Sequence, residues 1–349
     1  TAASTITSSN TSSSAISITG TNVNGSGSGQ WGFISSNNSG ANFLTISATG
    51  AGGSVSIIGT TGATAPTAGL VLNHVNVLAA NTVTLDGGTK GVSLGSGNAS
   101  DTNTIGGTAS GNCSGGVTIR GDNVAFATAL TTIRCTAPLV IESSSASAAF
   151  SGAQTLPSGF FALADVTDFR WGKTTNTTTM TNSTAVNASG NISIYGSSVQ
   201  LNANVTTSGS TKSILFKSTG DILNGAATTT QSNGGPIIFW ANSAGGNGSV
   251  SIYAGSTINS VNGATTRTAS GGGDIIVGGG TGSGTYPTGP VASASTTYAA
   301  FASGTGGTAS SITTYYSGGG TININASQSA ANQTISFKYA TTMWANGGQ

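Results

Sequence analysis

Short apolar bursts recur along this chain, each holding two or three Val, Ile, Leu or Phe at alternating positions after a glycine or polar turn. SVSI (54–57), TVTL (82–85), GVSL (91–94), GVTI (116–119), NISI (191–194), SVQL (198–201), SILF (213–216), SVSI (249–252), DIIV (274–277), TINI (321–324) and TISF (334–337) all have this form. A period of two puts the apolar side chains on one face of a strand and Ser, Thr and Asn on the other. Each burst is too short for a sandwich strand, and almost no stretch follows a helix cap with an amphipathic run. The pattern predicts an all-β chain dense in turns.

Spacing then selects the architecture. Ile192 to Ile214 is 22 residues, Ile214 to Ile237 is 23, Val117 to Leu139 is 22 and Val92 to Val117 is 25. Secondary bursts fall inside these intervals, as at Val199, Leu201 and Val205. A period of roughly 20–25 residues holding two or three short strands is what one coil of a parallel β-helix requires. Residues 1–349 are therefore read as a single right-handed parallel β-helix (β-solenoid) of roughly fifteen coils, each needing only its neighbours for stability. Two segments break the rhythm and are read as loop insertions. Residues 144–190 hold four phenylalanines and Trp171, and residues 280–316 hold Pro287, Pro290 and four tyrosines. Residues 317–349 are read as a terminal strand segment.

Composition narrows the function classes. Charged residues are 5% of the chain, with Lys plus Arg 9 and Asp plus Glu 8, against about 25% in an ordinary soluble domain. The basic residues are scattered singly, which argues against nucleic acid and against an anionic-membrane surface helix. With 36% apolar residues the chain is too hydrophobic for disorder, although it holds 55 glycines. No apolar run approaches the ~18 residues of a spanning helix. The N-terminal TAASTITSSN lacks the basic and apolar regions of a signal peptide, so a leader is expected to have been removed or to lie outside this sequence.

Three runs carry a resemblance: GNISIYGSSVQLNANVTTSG (190–209), STGDILNGAATTTQSNGG (218–235) and GGGDIIVGGG (271–280). They are similar to the repeats of filamentous haemagglutinin-type bacterial exoproteins, across roughly residues 45–280. The resemblance implies an exported β-solenoid shaft acting in adhesion, aggregation or biofilm structure. The Asn-Pro-rich secretion signature that begins such exoproteins is not found in this chain.

Few residues are candidates for chemistry. Cys113 and Cys135 lie 22 positions apart, one coil, which would set them over each other at a strand spacing of about 4.8 Å. A disulfide is the first reading and a pair of buried thiols the second, since no His or further Cys completes a zinc site. His74, the only histidine, is read as a polar outward residue on a strand. Asp165 and Asp168, with Phe169 and Trp171 beside them, form the one acidic pair that could serve a carbohydrate loop. Asp86, Asp122, Asp221 and Asp274 each flank a glycine and read as Asx turns at coil corners. The glycine triplets at 271–273, 278–280 and 318–320 are turns, with no GKS or GKT after them. The tract TTNTTTMTNST (174–184) resembles an ice-binding face in composition, but it is contiguous, where such a face needs a ladder at the coil period.

The expectation is a non-enzymatic, secreted structural protein at the bacterial surface, the subunit or shaft of an extracellular fibre. It has no catalytic, cofactor or metal residues assigned, and it self-associates end to end through its strand-like terminal segments. A surface glycan or host ligand is the other expected partner. A carbohydrate-binding or carbohydrate-cleaving β-helix centred on 161–173 is the second reading, and an ice-binding solenoid the third.

Overall fold

The computed structural model describes residues 4–23, 30–35, 44–62, 68–95, 102–107, 111, 113–127, 130–159, 161–261, 271–293, 301–305, 310–315, 320–328, 334–337 and 341–346. Every regular element among them is a strand, and the strand ladders are parallel. The chain divides into two compact units, Thr1–Asn176 and Thr177–Gln349.

In the first unit, three faces repeat along the chain. The first face stacks Ser4–Ser8, Leu44–Ala48, Val75–Ala79, Asn103–Gly106, Thr131–Arg134 and Phe161–Ala164 in that order. A second face stacks Ile16–Asn22, Val55–Thr61, Thr82–Asp86, Gly116–Arg120, Leu139–Glu142 and Phe169–Trp171. The third stacks Phe33–Ser35, Leu70–Leu72, Val92–Leu94 and Val124–Phe126. Successive strands of one face are thus separated by a strand of each other face, which is the path of a parallel β-helix.

The second unit repeats the arrangement. One face holds Ile192–Gly196, Ile214–Ser218, Ile237–Trp240, Ile275–Gly278 and Ile322–Ile324. Another holds Thr179–Asn182, Ser198–Leu201, Ile222–Asn224, Val250–Tyr253, Phe301–Thr305 and Ile335–Phe337. The third holds Val186–Ala188, Val205–Ser210, Thr229–Asn233, Thr257–Asn259, Ser310–Tyr315 and Thr341–Asn346.

The core follows from the alternation. Strand Val55–Thr61 is buried at every second residue, and Val75–Ala79 likewise. Parallel registers place these residues in columns, such as Ile18, Ile57, Leu85, Ile119, Ile141 and Trp171 in the first unit. A second-unit column runs Ile194, Phe216, Phe239, Val277 and Ile324, with the two phenyl rings 5.3 Å apart. Burying one such side chain contributes about 1.5–3 kcal/mol, so each coil gains its stability from the coils on either side.

Coil length departs from the sequence expectation. Val117 pairs with Leu139 and Ile192 with Ile214, both 22 positions on as expected. Val83, however, pairs with Val117, 34 positions on, and Ile275 with Ile322, 47 positions on. Val92 pairs with Leu70 and Val124 on the third face, so the 25-residue spacing from Val92 to Val117 joins two different faces. Bursts on all three faces share one form, and spacing alone does not say which column a burst joins. The longer coils also make fewer of them than fifteen: six described strands on the second face of the first unit and five on the corresponding list of the second.

The two segments expected to leave the solenoid carry strands. Within 144–190, Phe161–Ala164 pairs with Thr131–Arg134, and Thr179–Asn182 with Ser198–Leu201. Within 280–316, Phe301–Thr305 pairs with Val250–Tyr253, and Ser310–Tyr315 with Thr257–Asn259. Four of their aromatic residues fill inward columns, Phe161, Phe169, Trp171 and Phe301, all buried, while Tyr286 is exposed.

Corners are closed by glycine and by side-chain acceptors. Gly91 has φ +106°, and a Cβ there would meet the Asn123 carbonyl, so the turn requires glycine. Asp86 Oδ1 accepts from Gly88 N at 2.8 Å, the expected Asx turn. Asp221 and Asp274 act differently. Asp221 Oδ1 accepts from Ser249 N and Oγ, both at 2.7 Å, and Asp274 Oδ1 from Thr321 N at 2.7 Å and Oγ1 at 3.0 Å. Asn191 Oδ1 takes Ser213 N and Oγ in the same way. Each acceptor therefore ties one coil to the start of a strand in the next.

Candidate functional site

The proposed carbohydrate loop does not survive as a sugar platform. Phe169 and Trp171 lie in strand Phe169–Trp171 with alternate burial, and each is 1% exposed because it faces the core column. Neither ring offers a face to a ligand. Asp165, at φ +60°, is held by Arg134 on the neighbouring coil, with Nη1 donating to Oδ2 at 3.0 Å. The Asp168 carbonyl accepts from Leu139 N at 2.8 Å, a ladder contact. Although Phe169 and Trp171 sit in a charged stretch, period two puts them on the face opposite Arg170.

Charge concentrates instead on the outward side of the second face of the first unit. Glu142 is buried and accepts from Arg120 Nε and Arg170 Nη2, each at 2.7 Å, from the strands on either side. Beside it, buried Asp122 accepts from Ser144 N at 3.1 Å and Ser147 Oγ at 2.6 Å. Lys173 Nζ donates to the carbonyls of Ser144 at 2.5 Å and Ser147 at 2.6 Å. Two guanidinium groups thus clamp one carboxylate across three coils, while a Lys and an Asp fix the turn 144–147. Charge-assisted bonds of this kind are the stronger class. The sequence signal was present: Arg120, Glu142 and Arg170 recur at coil-like intervals in a chain that otherwise avoids charge.

In the second unit the outward side is apolar and aromatic. Tyr195, Lys217, Trp240 and Gly278 form one outward column, and Leu215, Ile238 and Ile276 another. Leu215, Ile238 and Trp240 are nevertheless buried. The segment 279–290 folds across them: Trp240 Nε1 donates to Gly280 O at 2.7 Å, and Lys217 Nζ donates to Gly282 O at 2.6 Å. The Lys217 ammonium lies 3.6 Å from the Trp240 ring centroid, and burial pulls its pKa below the usual lysine value. Continuous apolar runs, ILF and IIFW, are the sequence sign of strands covered on both faces.

Cys113 and Cys135 face each other. They are partners in an isolated parallel bridge, both fully buried and both free thiols in this structure. Thr136 N donates to Cys113 O at 3.0 Å, which fixes the pair at the start of the corner. His74 departs from its expected outward place. It is 1% exposed, at φ +55° between strands Leu70–Leu72 and Val75–Ala79, because the corner turns its side chain inward.

The Thr tract 174–184 also turns inward in part, with Met180 and Asn182 fully buried. Neutral polar ladders at the coil period occur elsewhere. Thr5, Thr45, Asn76, Thr104 and Thr132 are in register on the first face, as are Ser17, Ser56, Thr84 and Thr118 on the second. Among the described residues no group of three His, Cys, Asp or Glu could hold a metal ion, and no helix is long and apolar enough to cross a membrane.

The last feature lies at the outermost described coils. Ile6 continues the column of Ile46 and Val77 but is 43% exposed. In the second unit Ile335 and Phe337 continue the column positions of Phe301 and Ser303, and Met343 that of Ile312, at 43%, 46% and 42% exposure. Core columns are thus open where no described coil covers them.

Compared with known protein families, with curated proteins and with solved structures, the chain shows no significant match.

Proposed function

We propose that this chain is a non-enzymatic structural segment of a bacterial extracellular fibre of the filamentous haemagglutinin kind, extended by stacking further coils on its open edges. The observation that carries the reading is the exposure of Ile6, Ile335, Phe337 and Met343, which continue buried columns on the outermost described strands. An edge of this form is completed by another parallel strand whose alternate residues fill the column, and a second copy of the chain supplies one. The same edges fit a role in aggregation or biofilm matrix, where export and surface display put many copies side by side.

Negative-stain microscopy and sedimentation velocity across a concentration series test this. Filaments of one solenoid's width that grow with concentration, and that are lost in Phe337→Lys with Met343→Lys, are the expected result. Monodisperse particles unchanged over a hundredfold range would overturn it.

A further inference from the structure

We infer that Cys113 and Cys135 form a disulfide that covalently joins consecutive coils of the first unit and fixes their register. This does not rest on the stacking reading, since both residues lie inside one unit.

The geometry points to it in three ways. First, the two residues are directly opposed in a parallel bridge, and opposed residues on neighbouring strands have Cα atoms about 4.8 Å apart, within the 4.4–6.8 Å a disulfide tolerates. Second, the bridge stands outside the named strands, at a corner where Thr136 N and Oγ1 both donate to Cys113 O, so the backbone there is held without the rigidity of a full ladder. Third, both side chains are fully buried, and among the described residues no group of three ligands would make them part of a metal site. Complete burial likewise removes them from contact with any substrate.

The chemistry balances with a small disulfide as oxidant. Each thiol donates to a backbone carbonyl, Cys113 Sγ to Arg134 O and Cys135 Sγ to Ala137 O at 3.1 Å. Cys135, as its thiolate, attacks one sulfur of the oxidant and releases one thiol. Cys113 then loses its proton and attacks Cys135 Sγ in the mixed disulfide, releasing the second thiol. Two protons and two electrons leave the protein, and one Sγ–Sγ bond forms. Because neither sulfur reaches solvent in the folded chain, the exchange belongs to folding, before the coil between them closes. The bond closes a loop of 22 residues, the same interval that separates Val117 from its ladder partner Leu139. A slip of one residue in that ladder would separate the sulfurs, so the bond selects the native register.

The full chain should be refolded in a buffer of oxidised and reduced glutathione, then examined by intact mass and by thiol titration in denaturant. The expected result is a mass about 2 Da below the reduced chain, no titratable thiol, and a thermal midpoint that falls by roughly 5–10 °C on reduction. Cys113→Ala should show a midpoint indifferent to reductant. Two titratable thiols, two glutathione adducts, or dimers seen only on non-reducing gels would each overturn the inference. These readouts come from the unsubstituted chain, so they stand even if the variant fails to fold.

Discussion

The outward sides of the two units solve one problem by opposite means. In the first, Arg120, Glu142 and Arg170 bind three neighbouring strands through charge. In the second, Tyr195, Lys217 and Trp240 share an outward column, and segment 279–290 covers Lys217 and Trp240. The inward columns of both are apolar stacks of aliphatic and aromatic side chains, and the contrast is in what lies on top of them. An apolar cover contributes through area removed from water, whereas an ion-pair clamp has to offset the desolvation of its carboxylate. The apolar solution is therefore expected to contribute more stability per residue, and the charged one more specificity of register.

The largest effect should come from Trp240→Ala. It removes the ring on which 279–290 rests and is expected to cost about 3–5 kcal/mol in guanidinium unfolding. Amides 279–290 should then lose hydrogen-exchange protection before the core strands do. Next is Glu142→Gln, which leaves two guanidinium groups around a neutral amide and should cost about 1–3 kcal/mol. That loss should change little between low and high salt, because the carboxylate is buried. The smallest is Arg134→Ala, expected to cost under about 1 kcal/mol and to shrink further in salt, since Asp165 is half exposed. A Trp240→Ala cost no larger than that of Glu142→Gln would break the comparison. Equal costs for Glu142→Gln and Arg134→Ala would show that burial of the clamp matters less than its charge.

Class and repeat were legible from period-two alternation, because a solenoid core needs no more than one apolar face per strand. Column membership was not. Val83, Val92 and Val117 look alike in sequence, yet Val92 belongs to a different face, and only the closed path of the coil separates them. Aromatic residues misled for a related reason. Phe161, Phe169 and Trp171 interrupt the small-residue rhythm, which in sequence reads as a surface excursion, yet all three side chains are buried. The opposed cysteines were legible because 22 residues is the length of that coil. The cover over Trp240 was hidden: the run IIFW announces burial on both faces, but the residues that supply it lie some 40 positions away at 280–282.

The neutral polar columns Thr5, Thr45, Asn76, Thr104, Thr132 and Ser17, Ser56, Thr84, Thr118 bear on how such chains behave in a crowd. With 9 basic and 8 acidic residues in 349, and several of them consumed in internal pairs, the molecule carries almost no electrical double layer. Its water is held by neutral donors and acceptors, whose hydration does not titrate and is not screened. Two copies approaching side by side neither repel nor attract over the ~8–10 Å on which charged proteins sense one another. Their closest approach is set by the last layer of bound water, and near neutral pH it stays the same in brine and in fresh water.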